Sequence, residues 1–324
     1  MFETWLPLIA GFVLLVAGGE LLVRGAVQAA ERLGVSPLVI GLTLVGFGTS
    51  MPELVTSVQA GLSGSPGIAY GNIVGSNIAN ILLIGGISAL ICPVIVAEAA
   101  LRRDAALMLG VAALFAALAL ALPMGRLLGA GFVAGLVAYI VMVIRQERTT
   151  GEHGAIHDKS AALLQADPGL GAPSRRRGLI LPLLLALAGL GLVVLGGALL
   201  VDGAVALARA FGIGETVIGL TIVAVGTSMP ELVTSVIAAL KRQGDVAFGN
   251  IVGSNMYNIL GIGGTTALIA PGAVPSEITA FDAPLMVGVS ALLVVFAATA
   301  RRIDRWEGLA LLAGYGAYLY LLWP

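Results

Sequence analysis

Two carboxylates stand inside apolar sequence, each in a copy of the same phrase: Glu53 in GTSMPELVTS at 48–57, and Glu231 at 226–235. A carboxylate at membrane depth is costly unless paired or protonated. No membrane-embedded Lys, Arg or His is expected beside either one, so the counter-charge the sequence predicts is a bound cation. Pro52 and Pro230 each remove a helical amide and clash with the preceding turn. Each helix is therefore expected to break there, and freed carbonyls in such a break can coordinate a cation. Thr49 and Ser50, with Thr227 and Ser228, precede the glutamates by four and three residues, which puts their hydroxyls near the carboxylate face.

A second phrase extends the oxygen set. GNIVGSNIANIL runs from Gly71 to Leu82 and recurs from Gly249 to Leu260, differing only at Ile78/Met256 and Ala79/Tyr257. Ser76 and Asn80 share one helical face, as do Ser254 and Asn258. Asn72 and Asn250 lie a turn back, and Asn77 and Asn255 are expected to point elsewhere. Carboxylates, hydroxyls and amides suit hard ions such as calcium or sodium. Copper, zinc or iron would recruit His, Cys or Met, and neither motif contains His or Cys.

Plainer readings compete with a cation site. Pro and Gly are common in membrane helices, and Ser or Asn can join helices by hydrogen bonds. Recurrence with a buried Glu in each copy favours the site. Glu20 has Ala198 as its counterpart, so helix packing, a vestibule and an ion site all stay open for it; Asp202 reads as structural. His153 and His157 have i,i+4 spacing but lie in a polar loop without the metalloprotease Glu, so they read as solvated.

The elements that must position these groups are apolar throughout. The chain has 324 residues, 58% hydrophobic and 11% charged, where a soluble domain carries about 25% charge. This composition predicts an all-α polytopic membrane protein with membrane lipid around it and no nucleic-acid partner. Ten transmembrane helices are expected at about 5–28, 35–61, 68–92, 104–122, 126–144, 179–208, 213–239, 246–270, 281–299 and 306–323, each near the length a bilayer requires. The opening segment reads as a retained first helix. Cys92 is the sole cysteine, so no intramolecular disulfide exists.

The chain also repeats itself. GLTLVGFGTSMPELVTSVQA at 41–60 matches 219–238 except at Leu44/Ile222, Gly46/Ala224, Phe47/Val225 and Gln59/Ile237, and one offset of 178 positions aligns both phrases. Five helices per half force opposite insertion, which gives two inverted five-helix repeats with a site at their interface. The halves are expected at 1–145 and 179–324, joined by a polar linker at 146–178. Nearly all Lys and Arg fall in the loops after helices 1, 3, 5, 7 and 9, with only Arg126 and Arg209 on the other side. Arg102, Arg103, Arg301 and Arg302 would anchor helices at that surface. The asymmetry predicts a cytoplasmic linker and both termini extracytoplasmic, in a cell inner (plasma) membrane.

GTSMPE with GNIVGSNxxN, present twice, closely resembles the alpha repeats of the cation/calcium exchanger superfamily, in particular its prokaryotic sodium/calcium branch. Proton/calcium exchangers of that superfamily usually carry a different, GNxxE-like motif. The resemblance implies that Glu53, Glu231 and carbonyls adjoining Thr49 and Thr227 hold calcium. It implies that Ser50, Ser76, Ser228, Ser254, the carbonyls of Gly46 and Ala224, and Asn80 with Asn258 complete the sodium sites. The long first and sixth helices would slide across the rest. One departure is Asn258, where the branch usually has an aspartate.

The expected function is therefore sodium/calcium antiport by alternating access, electrogenic by the resemblance, with transported Ca²⁺ and Na⁺ as ligands, no cofactor and no obligate protein partner. Proton-coupled cation antiport and a cation channel are the alternatives. An enzyme is not expected: the sequence offers no HExxH, no nucleophile backed by a base and no nucleotide cradle.

Overall fold

A computed structural model describes residues 2–33, 46–98, 100–150, 155–166 and 179–323. Its helices are α1 Phe2–Arg32, α2 Met51–Leu62, α3 Pro66–Ile91, α4 Ala100–Ala121, α5 Arg126–Thr150, α6 Ala155–Ala166, α7 Ile180–Phe211, α8 Glu215–Thr227, α9 Met229–Leu240, α10 starting at Gly244, α11 Ile278–Ala300 and α12 Arg305–Leu322. Among the described residues, six of these are long and apolar enough to cross a membrane singly. The pair α8 and α9, bent by 48° at Ser228, makes a seventh such span. α6 was not among the expected helices; it lies within the segment read as linker. Residues 34–45, the start of the expected second span, lie outside the described residues, as does His153.

Each helix break follows from local chemistry. Pro52 and Pro230 fall in the first turn of α2 and α9, where the missing amide has no helical acceptor to lose. Ser50 and Ser228 precede them with matching dihedrals near φ −88°, ψ 6° and φ −83°, ψ 8°. The turn after α2 uses Gly64 at φ 75°; its counterpart 178 positions on is Arg242, held at φ 60°. A non-glycine residue there carries the usual steric cost of the left-handed region.

The two halves are related by inversion, and two sets of contacts show it. Gly11, Gly18 and Gly25 of α1 repeat every seventh residue, as do Gly189, Gly196 and Gly203 of α7. A Cβ on Gly18 would stand 2.8 Å from the Val193 amide nitrogen, and one on Gly196 would stand 2.7 Å from that of Leu15. Gly11 meets Gly196 and Leu200, whereas Gly25 meets Pro182 and Ala186, so the helices run antiparallel, backbone against backbone. The second set is a pair of short joints. Strand β1, Val94–Ile95, pairs antiparallel with β2, Arg302–Ile303, and Met124 forms an isolated bridge with Gly272. The repeat offset carries 94 to 272 and 124 to 302, so the same joint is built twice.

α3 and α10 fill the centre. α3 is 83% buried over its apolar window, against 28–39% for the other single spans, and every residue of both GNIVGSN phrases is buried. Both central helices loosen into π-helical turns, at Asn80–Ile84 and Tyr257–Gly263, each opening beside a motif asparagine. Such turns release backbone groups from regular pairing and gather at functional sites.

Candidate cation site at the repeat interface

The breaks before α2 and α9 bring Glu53 and Glu231 to the repeat interface, 1% and 2% exposed. Their hydroxyl partners come from across the interface. Ser50 Oγ donates to Glu231 Oε1 at 3.2 Å, and Ser228 Oγ donates to Glu53 Oε1 at 3.1 Å. The expectation that each serine faces the carboxylate three residues on is therefore corrected: the broken backbone turns it toward the other repeat. The remaining carboxylate oxygens, Glu53 Oε2 and Glu231 Oε2, are buried without a protein hydrogen bond.

Two asparagines outside the predicted set tie down the backbone at the glutamates. Asn72 Nδ2 donates to the Glu53 carbonyl at 3.2 Å and to Ser57 Oγ at 2.9 Å. Asn250 Nδ2 does the same for the Glu231 carbonyl, Thr234 and Ser235, at 3.1, 2.9 and 2.7 Å. Their one-turn offset from Ser76 and Ser254 was the available signal.

Of the other predicted residues, Thr227 donates to Asn72 Oδ1 at 2.9 Å, and Ser76 donates to Asn72 Oδ1 and to the Ala224 carbonyl, both at 3.4 Å. Asn80 Nδ2 donates to Asn255 Oδ1 at 3.0 Å. That bond corrects the expectation that Asn255 points away, whereas Asn77 does bond its own helix at Ile73. Asn258 is buried with both amide atoms unpaired. Gly46 opens the short helical turn Gly46–Gly48 ahead of the first break. Glu20, ion-paired with Arg24, lines a cavity of about 680 Å³ with Thr49, Pro52, Met229 and Pro230.

The largest correction concerns counter-charge. Lys159, from the linker helix α6, is 1% exposed, and its Nζ donates to Thr49 Oγ1 at 2.7 Å and reaches Ser50 Oγ at 3.3 Å and Glu231 Oε1 at 3.2 Å. It also donates to Ser254 Oγ and sits 5.9 Å from the centre of the Tyr257 ring. Burial pulls this ammonium below the ordinary lysine range, while Glu231 and then Glu53 pull the other way. The linker thus supplies the buried cation that the membrane helices lack. A signal existed: Ala155, Lys159, Ala162 and Ala166 fall on one face of a short helix, so a lysine interrupts its small-residue stripe.

α6 is seated by specific contacts. Asp104, fully buried, accepts the Ala155 amide at 2.8 Å and is itself held by Arg103 at 2.7 Å and Tyr139 at 2.9 Å. At the other end Lys241 Nζ donates to the Gln165 carbonyl at 3.1 Å. Between them, Asp158 and Lys159 lie against Gly249 and Gly253, where a Cβ would intrude. The matching glycines of the first repeat, Gly71 and Gly75, are covered instead by Gly219–Ala224.

A buried oxygen cage between two inverted helical repeats defines a cation-handling membrane protein. The comparisons agree. The family model described as "Sodium/calcium exchanger protein" matches residues 4–145 and 181–323. The sodium/calcium exchanger MaX1 of Methanosarcina acetivorans is 36% identical over 98% of both chains, and the inner membrane protein YrbG of Escherichia coli is 33% identical over 98% of this chain and 95% of its own. The sodium-calcium exchanger NCX_Mj, in a crystal soaked with Na⁺ and Ca²⁺, superposes with a TM-score of 0.63 at 30% identity over 98% of both chains. The chain belongs to the sodium/calcium exchanger family, within the cation/calcium exchanger superfamily, and is a multi-pass membrane antiporter.

Proposed function

We propose that this antiporter exchanges sodium for calcium by alternating access. The observation that carries this reading is the pair Glu53 and Glu231, each with one carboxylate oxygen lacking a protein partner among buried hydroxyl, carbonyl and amide oxygens. Calcium takes six to eight oxygens at about 2.3–2.6 Å, and a site with two carboxylates balances one divalent ion. Glu53, Glu231 and the backbone at Thr49 and Thr227 hold calcium. Ser50, Ser76, Ser228, Ser254, Asn80 and Asn258, with the carbonyls of Gly46 and Ala224, complete the sodium positions.

The chain's residues do the coupling by competition. Calcium and sodium contend for overlapping oxygens, and a cage emptied of ions and of Lys159 is held back because two unpaired carboxylates would cross a low-dielectric barrier. Unequal charge moved in each direction makes the exchange electrogenic. Residues 1–145 and 179–324 form the two repeats and 146–178 the cytoplasmic linker, with both termini extracytoplasmic in the inner membrane. MaX1 and NCX_Mj, both named as sodium/calcium exchangers, support the choice of ions.

The test is radioactive calcium uptake into sodium-loaded proteoliposomes diluted into sodium-free medium, beside vesicles carrying a proton gradient alone or no gradient. Uptake only with outward sodium is expected. Proton-driven uptake would replace sodium as the coupling ion, and uptake without any counter-ion would make the protein a channel.

A further inference from the structure

We infer that Lys159 is a tethered competitor of the transported cation: α6 holds its ammonium among the oxygens of Thr49, Ser50, Glu231 and Ser254, and an ion enters that half of the cage as the helix withdraws. The inference rests on the cation-site reading above, to which it adds a ligand built into the chain itself.

Broken symmetry is the first support. In one half of the cage, Asn72 Oδ1 accepts from Thr227 and Ser76. The equivalent atom of the other half, Asn250 Oδ1, is buried with no partner, and its mates Thr49 and Ser254 accept from Lys159. One ammonium thus sits on the two hydroxyl-bearing residues whose repeat counterparts serve Asn72. These oxygens are the same ones the cation reading requires, so ammonium and ion cannot hold them together. Two carboxylates and one ammonium leave a single negative charge, which discriminates against a divalent ion while Lys159 stays.

The second support is how α6 is attached. It lies between the two matched stretches of the family model, 4–145 and 181–323, and outside both. Twelve residues long, it is pinned at its ends by Asp104 and Lys241. Leu163 and Leu164 pack on Val23, Val27 and Ala30 of α1, so the plug touches one of the two long helices directly. Leu163 and Ala166 also wall the cavity that opens onto Thr49 and Pro52. A lysine serving only to neutralise Glu231 would need no link to the cavity mouth or to α1.

The experiment uses the full-length protein and two readouts. In a Cys92→Ser background, Ala162→Cys on α6 and Ala238→Cys on α9 join positions of one packed cluster. Disulfide yield with native Lys159 is measured against Ca²⁺, Na⁺ and an impermeant organic cation. Separately, calcium and sodium binding are measured for wild type, Lys159→Met and Lys159→Arg. The expected result is a several-fold fall in cross-linking with Ca²⁺ or Na⁺ but not the organic cation, with at least tenfold tighter ion binding in Lys159→Met and none in Lys159→Arg. Cross-linking released by Na⁺ alone, with Na⁺ binding tightened in Lys159→Met, retains the competitor and removes calcium as the ion. Cross-linking unaffected by every ion, or Lys159→Met binding its ion no tighter than wild type, overturns the competitor whatever the transport assay gives.

Discussion

Ser228 Oγ lies 3.1 Å from Glu53 Oε1, so the carboxylate of one repeat is steadied by the hydroxyl of the other. With the reciprocal bond from Ser50 to Glu231, neither glutamate is positioned by its own half alone. A cage shared in this way responds as one unit when either half is altered.

Glu53→Gln and Glu231→Gln are each expected to weaken calcium binding at least about tenfold, since removing one member of a buried charged set typically costs about 2–5 kcal/mol. Both proteins should still insert and elute as single species. Radioactive calcium binding on the purified variants is the measurement, and near-wild-type affinity in both would remove these residues from the site.

Asn258→Asp places a carboxylate where the branch usually has one, in exchange for an amide with no protein hydrogen bond. Sodium dependence and charge moved per calcium are expected to change, while the midpoint of thermal unfolding stays within a few degrees. Solid-supported membrane currents over a sodium series read the first two quantities. An unchanged sodium dependence with unchanged current per calcium would exclude Asn258 from ion coupling.

Asp104→Asn keeps the size of the side chain but removes the charge that the Ala155 amide and Arg103 share. Hydrogen bonds to a charged acceptor are worth roughly 1.5–3 kcal/mol, so the amino-terminal end of α6 loses its anchor. Amide exchange across 155–166 should quicken about tenfold or more while α3 and α10 remain protected. Equal quickening in all three helices would mean that Asp104 holds the whole core rather than α6.

Gly196→Val inserts a branched side chain where even a Cβ stands 2.7 Å from the Leu15 amide nitrogen. Overpacking of this kind costs about 1–3 kcal/mol. Thermal unfolding in detergent should shift down by several degrees, and Gly191→Val, at a position with open space, should not.

Much of this architecture was legible because the repeat turns each local clue into a pair. Pro52 alone predicts a kink; Pro52 with Pro230 at one offset predicts two matched breaks, and the dihedrals at Ser50 and Ser228 agree closely. Membership of the family was legible from the same two phrases. The partner of each hydroxyl was not, because spacing along a helix reports neighbours within that helix, and Ser50 bonds a residue 181 positions away. Lys159 was obscured for a different reason. Hydropathy sorts lysines by their immediate neighbours, and those of Lys159 are polar in the loop sense, His157, Asp158 and Ser160. Its burial is decided by Gly249 and Gly253, which leave a trough deep enough for a helix, and no window along the sequence joins those positions.

The glycine ladder between α1 and α7 has an energetic consequence. The backbones of the antiparallel pair are exchanged by the operation that relates the repeats, so displacing them toward one face resembles displacing them toward the other, except where unmatched side chains such as Glu20 and Ala198 or Arg24 and Asp202 differ. Equivalent displacements have nearly equal free energies, and a few kcal/mol of ion binding suffices to tip such a balance. Whatever the duplication does not copy then sets the resting preference. α6 lies between the repeats and belongs to neither, so under the alternating-access proposal it is expected, together with unmatched side chains such as Glu20, to set which face the protein waits toward.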